Sequence, residues 1–289
     1  MKDINHHLNN IKRNYHNLLE LGKFLQKSDY EKLSNSLEEK HNNYTTAYKE
    51  IFDPQKSIKE DMVYFADVRT LAKYNEDIVS GWLVEDFFFY LFNLQIFKKH
   101  DFIFSIDSHD CDRVIKKERT FINSDPDFTV IHNGIKFKLE IQSLLIPYGK
   151  FHIKQNKASR LFTMTSFLYC LLLAKKEIVF FNPTDIKNYG KLTKIKAFGG
   201  KDGYEYIIDN LPKNKILSNS GLDKKLLVTL YWFYYYKKLG DEKFEKFRDK
   251  VIGESNSIDG LLEILKNEKE PLKSKYINRF KRFIKFTLQ

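Results

Sequence analysis

The stretch SDPDFTVIHNGIKFKLEIQS, residues 124–143, limits what this chain can fold into more than any other. Asn133-Gly134 lies between runs of alternating apolar and polar residues, the strongest short-range signal for a two-residue hairpin. Such a turn sets the register. His132 faces Ile135, Val130 faces Phe137, Phe128 faces Leu139 and, continuing the ladder, Asp127 faces Glu140. Side chains alternate across a strand, so Phe128, Val130, Phe137 and Leu139 share one face, while Asp127, Thr129, Lys138, Glu140 and Gln142 share the other. Opposed carboxylates repel, and sheets avoid such pairs. A positive charge between them is therefore expected, either from Lys138 or from a divalent metal.

Around the hairpin, residues 8–50 have helical spacing, with Leu18, Leu21 and Leu25 on one side. Ser28-Asp29-Tyr30-Glu31 has the form of a capping box and predicts the start of a second helix. Asp53-Pro54 ends that segment, and Ser57-Ile58-Lys59-Glu60 offers another box before a short helical stretch to about residue 75. A strong helix is expected from about 79 to 98; apolar residues nearly surround it, which makes Glu85 conspicuous. DFIFSID reads as a strand, and the polar residues after it, to 123, as a further short strand or loop. After Pro147 and Gly149 the pattern predicts helix over about 154–175, then an interior strand, EIVFF, closed by Asn-Pro. Residues 187–221 read as loops with one or two short strands. LDKKLLVTLYWFYYYKKLGDEKFEKF and SIDGLLEILKN read as helices, and LKSKYINRFKRFIKF as a closing basic helix.

Hydrophobic residues make up 42% of the chain and charged ones 30%, a balance that predicts a folded, soluble protein. The formal net charge of +11 points to a polyanionic partner, nucleic acid ahead of a membrane surface. Cys111 and Cys170 are too few and too far apart for a zinc cage or a disulfide framework, which fits a reduced, cytoplasmic protein. The N-terminus lacks the apolar core of a signal peptide, and LVEDFFFYLFNLQIF and LFTMTSFLYCLLLA are too short to span a membrane and read as buried helices.

The order helix, strand, two-stranded hairpin, helix, strand, with Pro126-Asp127 and Glu140-x-Gln142, resembles the PD-(D/E)xK nuclease superfamily, the fold of many type II restriction endonucleases. The resemblance covers about residues 79–183. It implies an α/β chain with a restriction-endonuclease-like core at 77–186, a mixed central sheet flanked by helices. A helical N-terminal segment at 1–76 and a mostly helical C-terminal region at 187–289, for DNA recognition or dimer contacts, would be additions to it. Asp127 matches the motif aspartate and Glu140 the second acidic residue; Gln142 stands where the family most often has lysine. The implied activity is Mg²⁺-dependent hydrolysis of double-stranded DNA by a homodimeric, sequence-specific type II restriction enzyme. The alternatives are a junction-, repair- or modification-dependent nuclease of the same fold, and a non-catalytic DNA-binding protein.

The chemistry explains why such residues are needed. Phosphodiester hydrolysis needs an activated water and relief of charge at phosphorus, which Mg²⁺ supplies. That ion usually takes one or two carboxylates and keeps several waters. Asp127, Glu140 and, by resemblance, the Ile141 carbonyl would be its ligands, with Glu85 joining directly or through a water. Gln142 cannot act as a general base, though its amide can position a water, so Lys138 or Lys154 is expected to supply the missing charge. Lys150, Lys154, Lys157 and Arg160 follow the second strand near a helix start and are expected to bind DNA phosphates, together with His152 and Lys138. Lys273, Lys275, Arg279, Lys281, Arg282 and Lys285 in the closing segment form a second candidate contact. Other chemistry-bearing letters read more simply. His132 is a packed turn residue, HDCD at 109–112 a loop without zinc spacing, AFGGKDG at 197–203 no phosphate loop, and LYWFYYY core or dimer interface.

Overall fold

The structure, a computed structural model, describes residues 4–52, 69–106, 113, 115, 126–144, 151–164, 166–172, 177–196, 202–209, 216–217, 221–255 and 257–267. The chain begins with α1 (Ile4–Gly22), α2 (Lys27–Ile51), α3 (Leu71–Phe92) and α4 (Gln95–Lys99). Next come β1 (Ile103–Ile106), β2 (Phe128–His132), β3 (Ile135–Leu144), β4 (Phe151–Lys154), α5 (Gln155–Met164) and β5 (Ser166–Leu172). Then follow β6 (Glu177–Phe181), α6 (Pro183–Tyr189), β7 (Gly190–Lys196), β8 (Asp202–Ile208) and β9 (Ile216–Leu217). The described residues end with α7 (Leu222–Leu239), α8 (Asp241–Glu254) and α9 (Ile258–Asn267).

The strands form a six-stranded mixed sheet, ordered β1-β2-β3-β5-β6-β9, and a three-stranded antiparallel sheet, ordered β4-β8-β7. The β2–β3 hairpin has the register that its turn dictates, Phe128 with Leu139, Val130 with Phe137 and His132 with Ile135. Asn133 and Gly134 have φ of 46° and 75°, the doubly left-handed backbone that a tight hairpin of matching twist requires. β3 and β5 pair in parallel, so a crossover must return the chain, and α5 lies on that path. The lower face of the hairpin lies in the core: Phe128 packs against Phe89 and Phe92 of α3, and Phe137 against Phe233 of α7. Phe92 also stacks on Phe104 of β1 at 4.3 Å between centroids. One core takes in side chains of α1–α3, this sheet and α7–α9, and α3 runs unbroken through residues 76 and 77. A second, smaller core, with Phe151, Ile153, Leu161, Phe181, Ile186 and Ile208, joins the three-stranded sheet to α5, α6 and β6.

Several elements differ from the sequence reading. The helix expected over 154–175 is β4, then α5, and then a strand, β5. A continuous apolar run such as SFLYCLL suits a buried helix or a strand covered on both faces equally well, and its parallel pairing with β3 decides for strand. α2 starts at Lys27 after Gln26, which makes no side-chain cap, so Ser28 lies inside the first turn rather than at the cap. The helix expected at 79–98 begins earlier, at Leu71, where the Thr70 side chain accepts from the Lys73 amide, and it ends at Phe92 before the separate α4. The region 187–221 holds the long β7–β8 pair as well as the end of α6. The Asn-Pro after EIVFF serves a double purpose, closing β6 and giving α6 a reciprocal capping box between Asn182 and Asp185. LYWFYYY is core, with Tyr231, Phe233, Tyr234 and Tyr235 all buried in α7. The box at 57–60, HDCD at 109–112, Lys150 and the closing basic segment lie outside the described residues.

Gly134→Val puts a β-branched side chain at φ 75°, where L-residues are strained by about 1–2 kcal/mol. Its urea midpoint should fall accordingly, whereas substitution of the exposed Lys136 by alanine should leave the unfolding free energy from the same titration within about 0.5 kcal/mol of wild type.

Candidate active site

At the end of the hairpin away from its turn, acidic side chains from α3, β2 and β3 meet basic ones from α5 and the chain near residue 113. Thr129 and Lys138, opposed in the register, confirm which face is polar: Lys138 Nζ donates to Thr129 Oγ1 at 2.7 Å. Two residues further along β3, Glu140 lies on that face and is 2% exposed. A carboxylate so deeply placed needs a cation, and Lys157, in the first turns of α5, makes an ion pair with Glu140. Asp127 stands immediately before β2, next to the Phe128–Leu139 pair at which the ladder begins, and its Oδ2 accepts from the Ile141 amide at 2.6 Å. Gln142 follows on the Glu140 face, and its Oε1 is buried without a hydrogen-bond partner.

Glu85 comes to Asp127 from α3, and its carboxyl is pushed up to about 7, first by burial and then by the negative charge of Asp127. Arg113 opposes that rise: its Nη1 donates to Glu85 Oε2 at 2.6 Å. The same guanidinium lies 3.5 Å from Asp86 and over the Trp82 ring, and Asp86 in turn accepts from the Tyr44 hydroxyl at 2.6 Å. Arg113 holds a left-handed backbone, with φ 49°, which is uncommon for a residue with a side chain.

Thus Asp127, Glu140, Gln142 and Glu85 come to one end of the sheet. Among the described residues, no three His, Cys, Asp or Glu side chains stand close enough together to hold a metal ion by themselves. A pair of carboxylates still matches the habit of Mg²⁺, which completes its shell with waters. The orphan Gln142 oxygen and the mutual repulsion that raises Glu85 are both features that a cation or a bound water would relieve. Ile141, expected to offer its carbonyl, already contributes through its amide to hold Asp127.

The expected basic residues divide. Lys157 reaches Glu140, where Lys138 or Lys154 was expected to bring the positive charge; Lys138 is turned toward Thr129, and Lys154 is exposed at the end of β4. Arg160 is half-buried on α5, and His152 Nδ1 lies 3.1 Å from Glu205 Oε2 on β8. His132 is buried, stacked on Phe102 at 4.2 Å and edge-on to Tyr231 and Tyr234, as a packed residue should be. Sequence reasoning missed Arg113 and Asp86. A lone arginine in a polar stretch carries no periodic signal, and Asp86 was eclipsed by the neighbouring Glu85. Among the described residues, no helix is long and apolar enough to cross a membrane. The chain matches no protein-family model, no curated protein and no solved structure.

Glu85 has a testable signature. Its folded-state pKa, about 7, lies above the ordinary value of 4.5, so the native state holds the proton more tightly than the unfolded chain. That contribution favours folding at low pH and is lost as pH climbs through this window. Glu85→Gln cannot ionise, so its melting temperature should rise relative to wild type as pH goes from about 5 to about 8. Parallel curves over that range, by circular dichroism, would contradict the raised carboxyl.

Proposed function

We propose that this chain is a Mg²⁺-dependent endodeoxyribonuclease of the restriction-endonuclease-like class, and most simply a homodimeric, sequence-specific type II restriction enzyme. The observation that carries this reading is the pair of acids at the end of the hairpin, Asp127 bound to the Ile141 amide beside the buried Glu140 that Lys157 holds. Two further features support it. The elements α3, β1, β2, β3, α5 and β5 follow one another in the order helix, strand, hairpin, helix, strand, with β4 interposed before α5. The net charge of +11 suits a polyanionic substrate. A two-fold DNA site is most simply read by a two-fold protein, hence the homodimer.

Asp127, Glu140 and the Ile141 carbonyl would hold the cation, with Glu85 at the rim. When bound, Mg²⁺ lowers the pKa of a coordinated water and offsets charge on the phosphoryl oxygens. The chain's own residues do the rest. Lys157 brings to Glu140 the ammonium that position 142 lacks, close enough to orient a water and to neutralise charge that grows on the scissile phosphate. Gln142 offers a buried, unengaged amide oxygen that can accept from the same water and fix its direction. Glu85, neutral more readily than an ordinary carboxyl, can pass a proton or give it up when positive charge enters.

The test is incubation of purified protein with a large DNA of known sequence and Mg²⁺. Discrete fragments are expected from wild type. Asp127→Asn should abolish cleavage with a melting temperature near that of wild type. Glu140→Gln should abolish it too, and Lys157→Ala should lower kcat by about a hundredfold or more. These two should have lowered melting temperatures because each breaks the buried ion pair, so all are assayed well below melting. DNA left intact by wild type with either Mg²⁺ or Mn²⁺ would sink the reading.

A further inference from the structure

The large hydrophobic side chains that stand exposed among the described residues include Tyr189, Leu192 and Tyr204, at 41%, 43% and 47%. Tyr189 ends α6, Leu192 is on β7, an edge strand of the three-stranded sheet, and Tyr204 is on its central strand, β8. Leu192 pairs with Tyr206 and Lys194 with Tyr204, so Leu192, Lys194 and Tyr204 share a face. Further in, that face is covered: Phe151, Ile153 and Ile208 are buried, and Tyr206 packs on Phe162 of α5. Past that cover, Leu192 and Tyr204 emerge beside the exposed Lys194, and the exposed Lys187 of α6 comes to the same side, its ammonium over the Phe162 ring. Glu205 is with His152, and Asp185 is buried in the cap of α6. This is a positive, aromatic-bearing surface that the catalytic reading leaves unused.

Its position ties it to the candidate site. β4, the strand of this sheet that leads into α5, ends at Lys154, which pairs in register with Glu205, itself across from Thr193. Lys157, which grips Glu140, lies about one helical turn beyond. The sheet that carries the patch is thus joined directly to the helix that reaches Glu140.

We infer that the β7–β8 part of the three-stranded sheet is a second contact surface for duplex DNA, with Lys187 and Lys194 on phosphates and Leu192 and Tyr204 against sugars and base edges. The inference rests on the nuclease reading and extends it to residues outside the acidic cluster. Charge selects the occupant: like-charged patches on two copies of this chain repel, whereas phosphates attract them. Lysines neutralise phosphates without regard to sequence, and apolar side chains seat against groove walls and thymine methyls.

The test uses the full chain and a labelled duplex of mixed sequence, by fluorescence anisotropy without divalent cation over a range of salt. Lys187→Gln with Lys194→Gln should lessen the slope of log K against log salt by about 2, since each phosphate contact contributes about 0.9. Leu192→Ser with Tyr204→Ser should weaken binding about tenfold at an unchanged slope, in line with the loss of one apolar contact. Both pairs are exposed, and unchanged melting curves would show that folding is intact. Wild-type affinity and slope in both variants would overturn the inference while leaving the nuclease reading in place. If wild type itself binds no duplex, both fall. Loss of self-association by light scattering with DNA binding unchanged would assign the surface to a second copy and likewise overturn it.

Discussion

A carboxylate taken out of water must find a cation, and the pairing of Glu140 with Lys157 answers that requirement at the centre of this molecule. The pair ties β3 to α5, and α5 is the segment that must carry the chain from β3 to its parallel neighbour β5. Parallel strands leave no short route between them, so the crossover helix has to lie over the sheet. The ion pair draws its first turns to the end of the hairpin that holds Asp127. The geometry of the sheet and the electrostatics of the site are thus settled by one contact. Replacing Glu140 by an apolar residue would remove the desolvation cost, but it would also remove the reason for Lys157 to be there.

On the other side of Asp127 the charges are less evenly balanced. Glu85 is buried near Asp127, and Arg113 divides itself between Glu85 and Asp86. Tyr44 reaches across from α2 to Asp86, so the N-terminal helices are bound electrostatically to the rim of the site as well as packed on α3. Burial and like charge together keep Glu85 well above its ordinary range even with the arginine present. Perturbed groups of this kind gather where a protein handles protons or cations, although structural ion-pair networks produce them too.

Much of this was legible in the residues. Asn133-Gly134 specified a turn with both residues left-handed, and the turn specified the register, which the structure reproduces pair by pair. Asn182-Pro183 marked the end of a strand, though its second role as the cap of α6 went unread. Other features were not legible. SFLYCLL, apolar throughout, has no period by which to tell a helix from a strand, and the error there changed the expected helix after the hairpin into β4, a short helix and β5. Ser28 looked like a cap because its letters fit, yet helix formation had already begun at Lys27. Lys157 was visible only as one lysine among several near a helix start, and nothing local distinguishes the one that meets a buried acid.

By itself the sequence determined what depends on neighbours in the chain: the hairpin, its register, the segregation of its apolar and polar faces, and the excess of positive charge. Those follow from backbone stereochemistry and side-chain alternation, which act over a few residues. Only the tertiary structure decided which cation meets Glu140, that Arg113 reaches Glu85 and Asp86, and that a second sheet stands beside the acidic cluster. Each of those depends on groups brought together from distant parts of the chain, where burial raises the strength of a charge interaction, and no spacing within the sequence records such proximity.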